Sequence, residues 1–199
     1  MTALSIARLK ITLNDVKPKV HRRIEVPLSI RLDRLHLVFQ AAMGWTNSYL
    51  YEIRARGVGW GMPMQGADDD VLNAARAHLV DVLEDTGAKT LKYLYDFGDG
   101  WEHTVKLERI VDAAPGLVYP MLIEGEGRCP PEDCGGPWGY ADLLEVLADP
   151  DHERHGEMTE WVGRPFDAAA PAIDVHQRAV AALARKWAPK PVGKRSPAK

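Results

Sequence analysis

The chain carries two cysteines in 199 residues and no apolar run near the roughly 20 residues of a membrane-crossing helix. Two thiols do not make a disulfide framework. The opening "MTALSIARLK" alternates apolar and polar residues and lacks the apolar centre of a secretory leader. A cytoplasmic location with no membrane partner is therefore expected. There is no internal repeat, no phosphate-cradling glycine loop, no nucleophile elbow and no Ser-His-Asp arrangement. What is present is ordinary for a soluble globular chain, with 46% hydrophobic and 27% charged residues. The length suits one domain, expected over residues 1–187. Residues 188–199, "APKPVGKRSPAK", are too polar and proline-rich to bury a face and are expected to be a disordered basic tail.

The net charge of −3 hides an asymmetry. Residues 8–34 hold eight Lys or Arg against three acids, and the tail adds four more cations, so the remainder is strongly acidic. If a phosphate-binding face exists, it belongs at Lys17, Lys19, Arg22 and Arg23 or on the tail. Arg22 and Arg23 occupy adjacent strand positions, so only one of them can join a given surface.

Periodicity gives the elements. Residues 4–13 and 20–26 alternate as strands joined by a turn, an antiparallel hairpin. Ser29 is placed to cap a helix whose Leu32, Leu35, Phe39, Ala42 and Met43 recur at helical spacing, with Gly44 as its stop. Residues 49–55 read as a strand, 57–70 as a loop with a brief extended piece, and 71–84 as a helix. Residues 89–97 and 101–110 form a second hairpin around Gly98-Asp99-Gly100. A strand over 119–124 and a loop over 125–139 follow, then helices over 140–148, about 153–162 and 173–187. Strands thus dominate early and helices late. That segregation predicts an α+β fold, an antiparallel-rich sheet with helices mainly on one face and a helical C-terminal part.

Two segments concentrate chemistry. The hairpin "DFGDGWEH" brings Asp96, Asp99 and His103 toward one turn, beside Trp101. Such a set serves as an acid–base or metal cluster, or alternatively Asp96 organises turn amides and His103 bonds a carbonyl. The loop "CPPEDCGGPWGY" displays Glu132 and Asp133 on a proline-stiffened segment, with Trp138 and Tyr140 beside them, though a loop covering a sheet edge has similar composition. Cys129 and Cys134, with four residues between them, and His152 and His155, with two between them, supply thiolates and imidazoles for zinc. The same cysteines serve equally as idle thiols or as a reversible disulfide. His36 reads as a polar edge residue of its helix, and Trp45, Trp60 and Trp161 as packing residues.

Four stretches in order, "PKVHRRIEVP", "LDRLHLVFQAAMGW", "YLYDFGDGWEHTVKLE" and "CPPEDCGGPWGY", resemble the plasmid Ri (pRiA4b) open-reading-frame-three-like family. Its members often carry the label of transposon passenger proteins with a resolvase-like (TnpR) name. The resemblance spans about residues 4–185 and implies a compact α+β domain. It departs at His21, where the family pattern has a larger aromatic. It brings no recombinase activity with it, because Ser5, Ser29, Ser48 and Ser196 have no arginine-rich setting.

Together these readings give a mobile-element-associated binding domain. Its cleft would join the hairpin and the loop through Asp96, Asp99, Trp101, His103, Glu132, Asp133, Trp138 and Tyr140. An acidic cleft prefers a cationic group or a basic peptide. The alternatives are a metal-dependent hydrolase or nuclease using the same carboxylates and histidine, and a DNA-binding accessory protein using the basic N-terminal region and tail.

Overall fold

The computed structural model of the chain describes residues 4–62, 71–163 and 165–188. Residues 189–199 of the expected tail and most of the glycine-rich loop, residues 63–70, lie outside the described residues.

The strands are β1 (Ser5–Leu13), β2 (Val20–Pro27), β3 (Tyr51–Ala55), β4 (Val58–Gly61), β5 (Val71–Asn73), β6 (Thr90–Tyr95), β7 (Trp101–Asp112) and β8 (Met121–Glu126). They form one sheet in the order β5-β4-β3-β6-β7-β1-β2-β8. Every pairing is antiparallel except β4 with β5. The helices are α1 (Leu32–Met43), α2 (Leu79–Thr86), α3 (Gly136–Ala148), α4 (His155–Val162) and α5 (Ile173–Trp187). No helix among the described residues is long and apolar enough to cross a membrane. The α+β class and both sequence-predicted hairpins are present.

Alternation decides which face is covered. Register places Tyr51 beside Tyr95 and Tyr95 beside Trp101, and in the next row Ile53, Tyr93, His103, Leu13 and Val20. Leu91, Val105, Ile11 and Arg22 continue the same face. All of these are buried. α1 lies on this face, with Phe39 edge-on to Tyr93 at 4.9 Å and His36 stacked on Tyr51 at 3.6 Å. α5 packs against α1 and β8. The opposite face carries Arg54, Lys92, Thr104, Lys10 and Lys106, and is laced by Arg8–Glu25 and by Arg23 with Glu108 and Glu124. A half-covered antiparallel sheet alternates in this way.

Three sequence expectations change here. Ser29 does not cap α1: the preceding residue is Arg31, with no side-chain cap, and the Leu32 amide donates instead to the Ala77 carbonyl at 2.9 Å. Residues 71–84 are not one helix. Asn73 accepts from the Ala75 amide at 2.9 Å and opens a short 3-10 turn over Ala74–Arg76, so residues 71–73 join the sheet beside β4. Helix α2 then starts at Leu79, its first amides bonded to the Ile30 and Leu28 carbonyls. Helix α3 begins four residues earlier than expected, at Gly136, because Pro137 presets the backbone of its first turn. Gly44 does end α1, with φ at +89°.

Arg22 is the largest departure. It belongs to no cationic surface; it is fully buried. Its Nε donates to the Ala42 carbonyl at 2.9 Å, and one terminal nitrogen donates to His21, Glu126 and Gly127 carbonyls at 2.8, 2.9 and 2.9 Å. Burial lowers its pKa, but a guanidinium stays protonated. One side chain thereby joins β2, the C-terminal turn of α1 and the chain leaving β8. Replacing Arg22 by Met keeps the length and removes every donor. This should lower stability by about 3 kcal/mol in urea unfolding. An unchanged midpoint would show that the guanidinium bonds only offset its desolvation.

Candidate functional site

The turn between β6 and β7 is built by Asp96. It takes the left-handed conformation at φ +54°. Its carbonyl accepts from the Gly100 amide at 2.7 Å, and its Oδ1 accepts from the Gly98 and Asp99 amides at 3.0 and 3.3 Å. An aspartate tolerates this geometry because its short side chain bonds the turn it sits in. Asp96 is thus a turn organiser, one of the two roles its position suggested.

The double-proline loop packs against that turn. The Gly135 amide donates to Asp99 Oδ2 at 3.3 Å. At Gly136, φ is +69° and a Cβ would stand 2.2 Å from the Asp99 carbonyl oxygen, so only glycine allows the approach. The two segments that sequence analysis paired are therefore in contact.

The side chains divide. Glu132 accepts from the Thr46 amide at 3.0 Å, the Thr46 hydroxyl at 2.5 Å and the Tyr95 hydroxyl at 2.5 Å. Asp133, itself at φ +62°, accepts from the Tyr49 hydroxyl. The Tyr95 oxygen in turn accepts from the Ser48 amide at 3.0 Å. Tyr49 is raised to about 12, first by its bond to Asp133, with Asp96 and Glu132 adding to the effect. Asp99 and Asp133 likewise act on Cys134, whose thiol rises to about 12 mainly through burial. Asp96, Asp99, Glu132 and Asp133 therefore share one seam. Among the described residues none of the four is in an ion pair; every donor they meet is a hydroxyl or a backbone amide.

Of the other four expected cleft residues, three lie in the core. Trp101 is fully buried against Trp45, 5.9 Å between ring centroids. His103 is buried, with Trp45 edge-on at 5.4 Å and its Nδ1 donating to the Tyr93 carbonyl at 3.2 Å. That bond places the proton on Nδ1, so Nε2 faces the core as an acceptor without a partner. His103 titrates near 4 because of burial, which outweighs its backbone bonds. Among the described residues no carboxylate faces it, so it is not placed to exchange protons with Asp96 or Asp99. Tyr140 is buried, edge-on to Phe166. Trp138 sits in the first turn of α3 and is 89% exposed, pointing into solvent.

The four candidate zinc ligands are not brought together. Among the described residues no three His, Cys, Asp or Glu side chains gather to hold a metal ion. Cys129 is buried and its thiol is pushed well up by desolvation. His152 Nδ1 accepts from the Arg154 amide at 3.1 Å, and His155 Nδ1 donates to the Val146 carbonyl at 3.0 Å. His152 lies in the turn before α4, not on the helix with His155. On the basic side, Lys17 and Lys19 are exposed, Arg22 is inside, and Arg23 is bound to Glu108 at 2.7 and 3.0 Å and to Glu124.

The segment the sequence reading missed is residues 44–49, "GWTNSY". Trp45 Nε1 donates to the Pro130 carbonyl at 3.0 Å, and its ring stacks on Tyr95 at 5.0 Å. This segment, leaving α1, bridges loop and sheet. Its run of Thr46, Asn47 and Ser48 after a helix stop was the available signal. His36 belongs to the same neighbourhood rather than to an edge. It donates from Nε2 to Asn47 Oδ1 at 2.5 Å and accepts at Nδ1 from the Tyr93 hydroxyl at 2.8 Å, where Gln40 also donates at 2.9 Å.

This arrangement defines a class: an α+β protein whose half-covered antiparallel sheet carries a turn-and-loop seam at one end. The chain belongs to the family described as plasmid pRiA4b ORF-3-like protein, whose pattern matches residues 5–175. It is 56% identical over 187 residues to the uncharacterized protein y4hQ of Sinorhizobium fredii, covering 94% of this chain and 96% of that one. Its fold is similar to the crystal structure of a protein of unknown function, MM3350 from Methanosarcina mazei Go1. That match has a TM-score of 0.79 and 32% identity, over 87% of this chain and 98% of the other.

Two outcomes test this geometry. Gly136→Ala forces a Cβ against the Asp99 carbonyl and a disfavoured φ, so stability should fall by about 2 kcal/mol or more in urea unfolding. A stable variant would mean the turn and loop separate freely. Second, His36 and His103 both titrate near 4, with burial the first cause. Their unfolded forms bind protons near pH 6.5. The unfolded chain thus holds more protons between those values, and stability falls as pH drops from 6.5 through 4. The loss is on the order of 3 kcal/mol per imidazole. NMR titration should show both rings neutral down to about 4; midpoints near the unperturbed value would contradict their burial.

Proposed function

We propose that this plasmid-family chain is a binding module whose seam receives a cationic group, with a basic peptide segment as the partner class. The observation that carries this reading is the uncompensated charge of Asp96, Asp99, Glu132 and Asp133. Their donors are neutral, so the phenols, amides and threonine fix the carboxylates in place without cancelling them. A concentration of one sign of charge attracts the other over about a Debye length. Exposed aromatics stand in the same segments: Tyr49 before β3, Phe97 in the turn and Trp138 at the start of α3. Lysine and arginine side chains bind both carboxylates and aromatic faces.

The alternatives draw less support. Metal-dependent hydrolysis needs a ligand set gathered around a divalent ion; His103 lies in the core, and among the described residues no three His, Cys, Asp or Glu side chains come together. A DNA-accessory role loses Arg22 to the interior and Arg23 to two glutamates.

The reading is tested with a short lysine- and arginine-rich peptide, titrated calorimetrically at low and at near-physiological ionic strength. Binding should weaken with salt and fall at least tenfold in the doubly substituted Asp99→Asn, Asp133→Asn chain. No binding at low salt, or equal binding by the variant, would remove the seam as a cation site.

A further inference from the structure

A second concavity lies at the other end of α1 and does not depend on the seam. Along α1, twelve residues at 1.5 Å each put roughly 18 Å between the two ends. The groove holds about 570 Å³ and is walled by the start of β1, the end of β2, the first turn of α1, the β7–β8 connection and the end of α5. Its volume falls in the range of small-molecule sites, roughly 300–1,000 Å³.

Its lining is apolar with one sign of charge. Leu4, Ile30, Leu117, Val118, Tyr119 and Trp187 supply the apolar wall. Leu4, Leu117 and Val118 remain exposed although the core beneath is filled, and adjacent exposed aliphatics on a soluble chain mark contact surface. The basic residues lining it are Arg31, Arg34 and His78, with no acid in the lining. Arg31 is already bound to Asp33 at 2.9 and 2.7 Å, and His78 faces Asp81 at 3.3 Å. Arg34 differs. Its guanidinium lies over the Trp187 ring, 5.2 Å from the centroid, and among the described residues it has no carboxylate partner. A half-buried guanidinium steadied on an aromatic ring retains its hydrogen-bonding edge for an anion, and its planar fork suits a carboxylate.

We infer that this groove is a binding site for a small amphipathic carboxylic acid, its carboxylate on Arg34 and its apolar body against Leu4, Leu117 and Val118. The lining decides among occupants. The chain's own residues 189–199 carry four cations and no acid, the same sign of charge as Arg31 and Arg34. A lone fatty alcohol leaves Arg34 unused, and a cationic amphiphile opposes it.

The test is calorimetric titration of the full chain with dodecanoate, dodecanol and dodecyltrimethylammonium below their aggregation concentrations. Dodecanoate should bind saturably with one site per chain and at least tenfold more tightly than the other two. Arg34→Gln should lose at least tenfold and Arg34→Lys less, while Leu117→Ser, which leaves the charge intact, should also lose at least tenfold. Thermal unfolding of each variant separates a lost site from a lost fold. Absence of saturable binding would overturn the assignment. So would equal affinity for the cationic amphiphile, or unchanged binding by both Arg34→Gln and Leu117→Ser. Concentration-dependent dimerisation abolished by Leu117→Ser would give the groove to a second copy and overturn it as well.

Discussion

A buried guanidinium without a buried carboxylate constrains the whole of the helical side of this protein. Desolvating such a charge costs several kcal/mol unless hydrogen bonds replace the lost water. Arg22 finds them only on backbone carbonyls, from α1, its own strand and the chain beyond β8. Those three elements must therefore sit where their carbonyls converge. The segment leaving α1 is then delivered over Tyr95, and the chain leaving β8 is delivered toward the turn after β6. Gly127 completes this closure, since a Cβ there would meet the Lys19 carbonyl at 2.2 Å.

The seam inherits its order from that arrangement. Tyr95 is a core residue of β6, fully buried, yet its hydroxyl reaches the covering loop and holds Glu132. Trp45 similarly packs on Tyr95 while its indole nitrogen holds the Pro130 carbonyl. Rigid aromatic bodies with a polar tip thus transmit the position of the sheet to the loop. The groove at the far end uses the same device in a different way, with Trp187 supporting Arg34 instead of a carboxylate.

The parts of the fold readable from sequence were those set by local periodicity. The second hairpin, over 89–97 and 101–110, was predicted from its strand pattern and its turn, and the register confirms it with Tyr93 opposite His103. Helix α5 was readable to the residue, and Gly44 as a helix stop likewise. What was not legible depends on partners distant in sequence. Nothing local distinguishes Arg22, bound to carbonyls 20 and more than 100 residues away, from Arg23 beside it. Nor does local pattern show that His36 and His103 enter the core, because His36 is admitted by the Asn47 and Tyr93 oxygens and His103 by the Tyr93 carbonyl, all outside their own elements. The carboxylates Glu132 and Asp133 were identified by the stiffness of their loop, but their phenolic partners Tyr95 and Tyr49 were not, since they come from the end of β6 and from the approach to β3.

The close contact at Gly136 is made to a main-chain oxygen, that of Asp99, and not to its carboxylate. The architecture that joins bend and loop is therefore largely independent of the chemistry displayed upon it. Exchanging the exposed side chains at positions 97 and 138 would re-letter the surface while leaving that contact intact. A family built on this frame can change what it recognises without relearning how to fold.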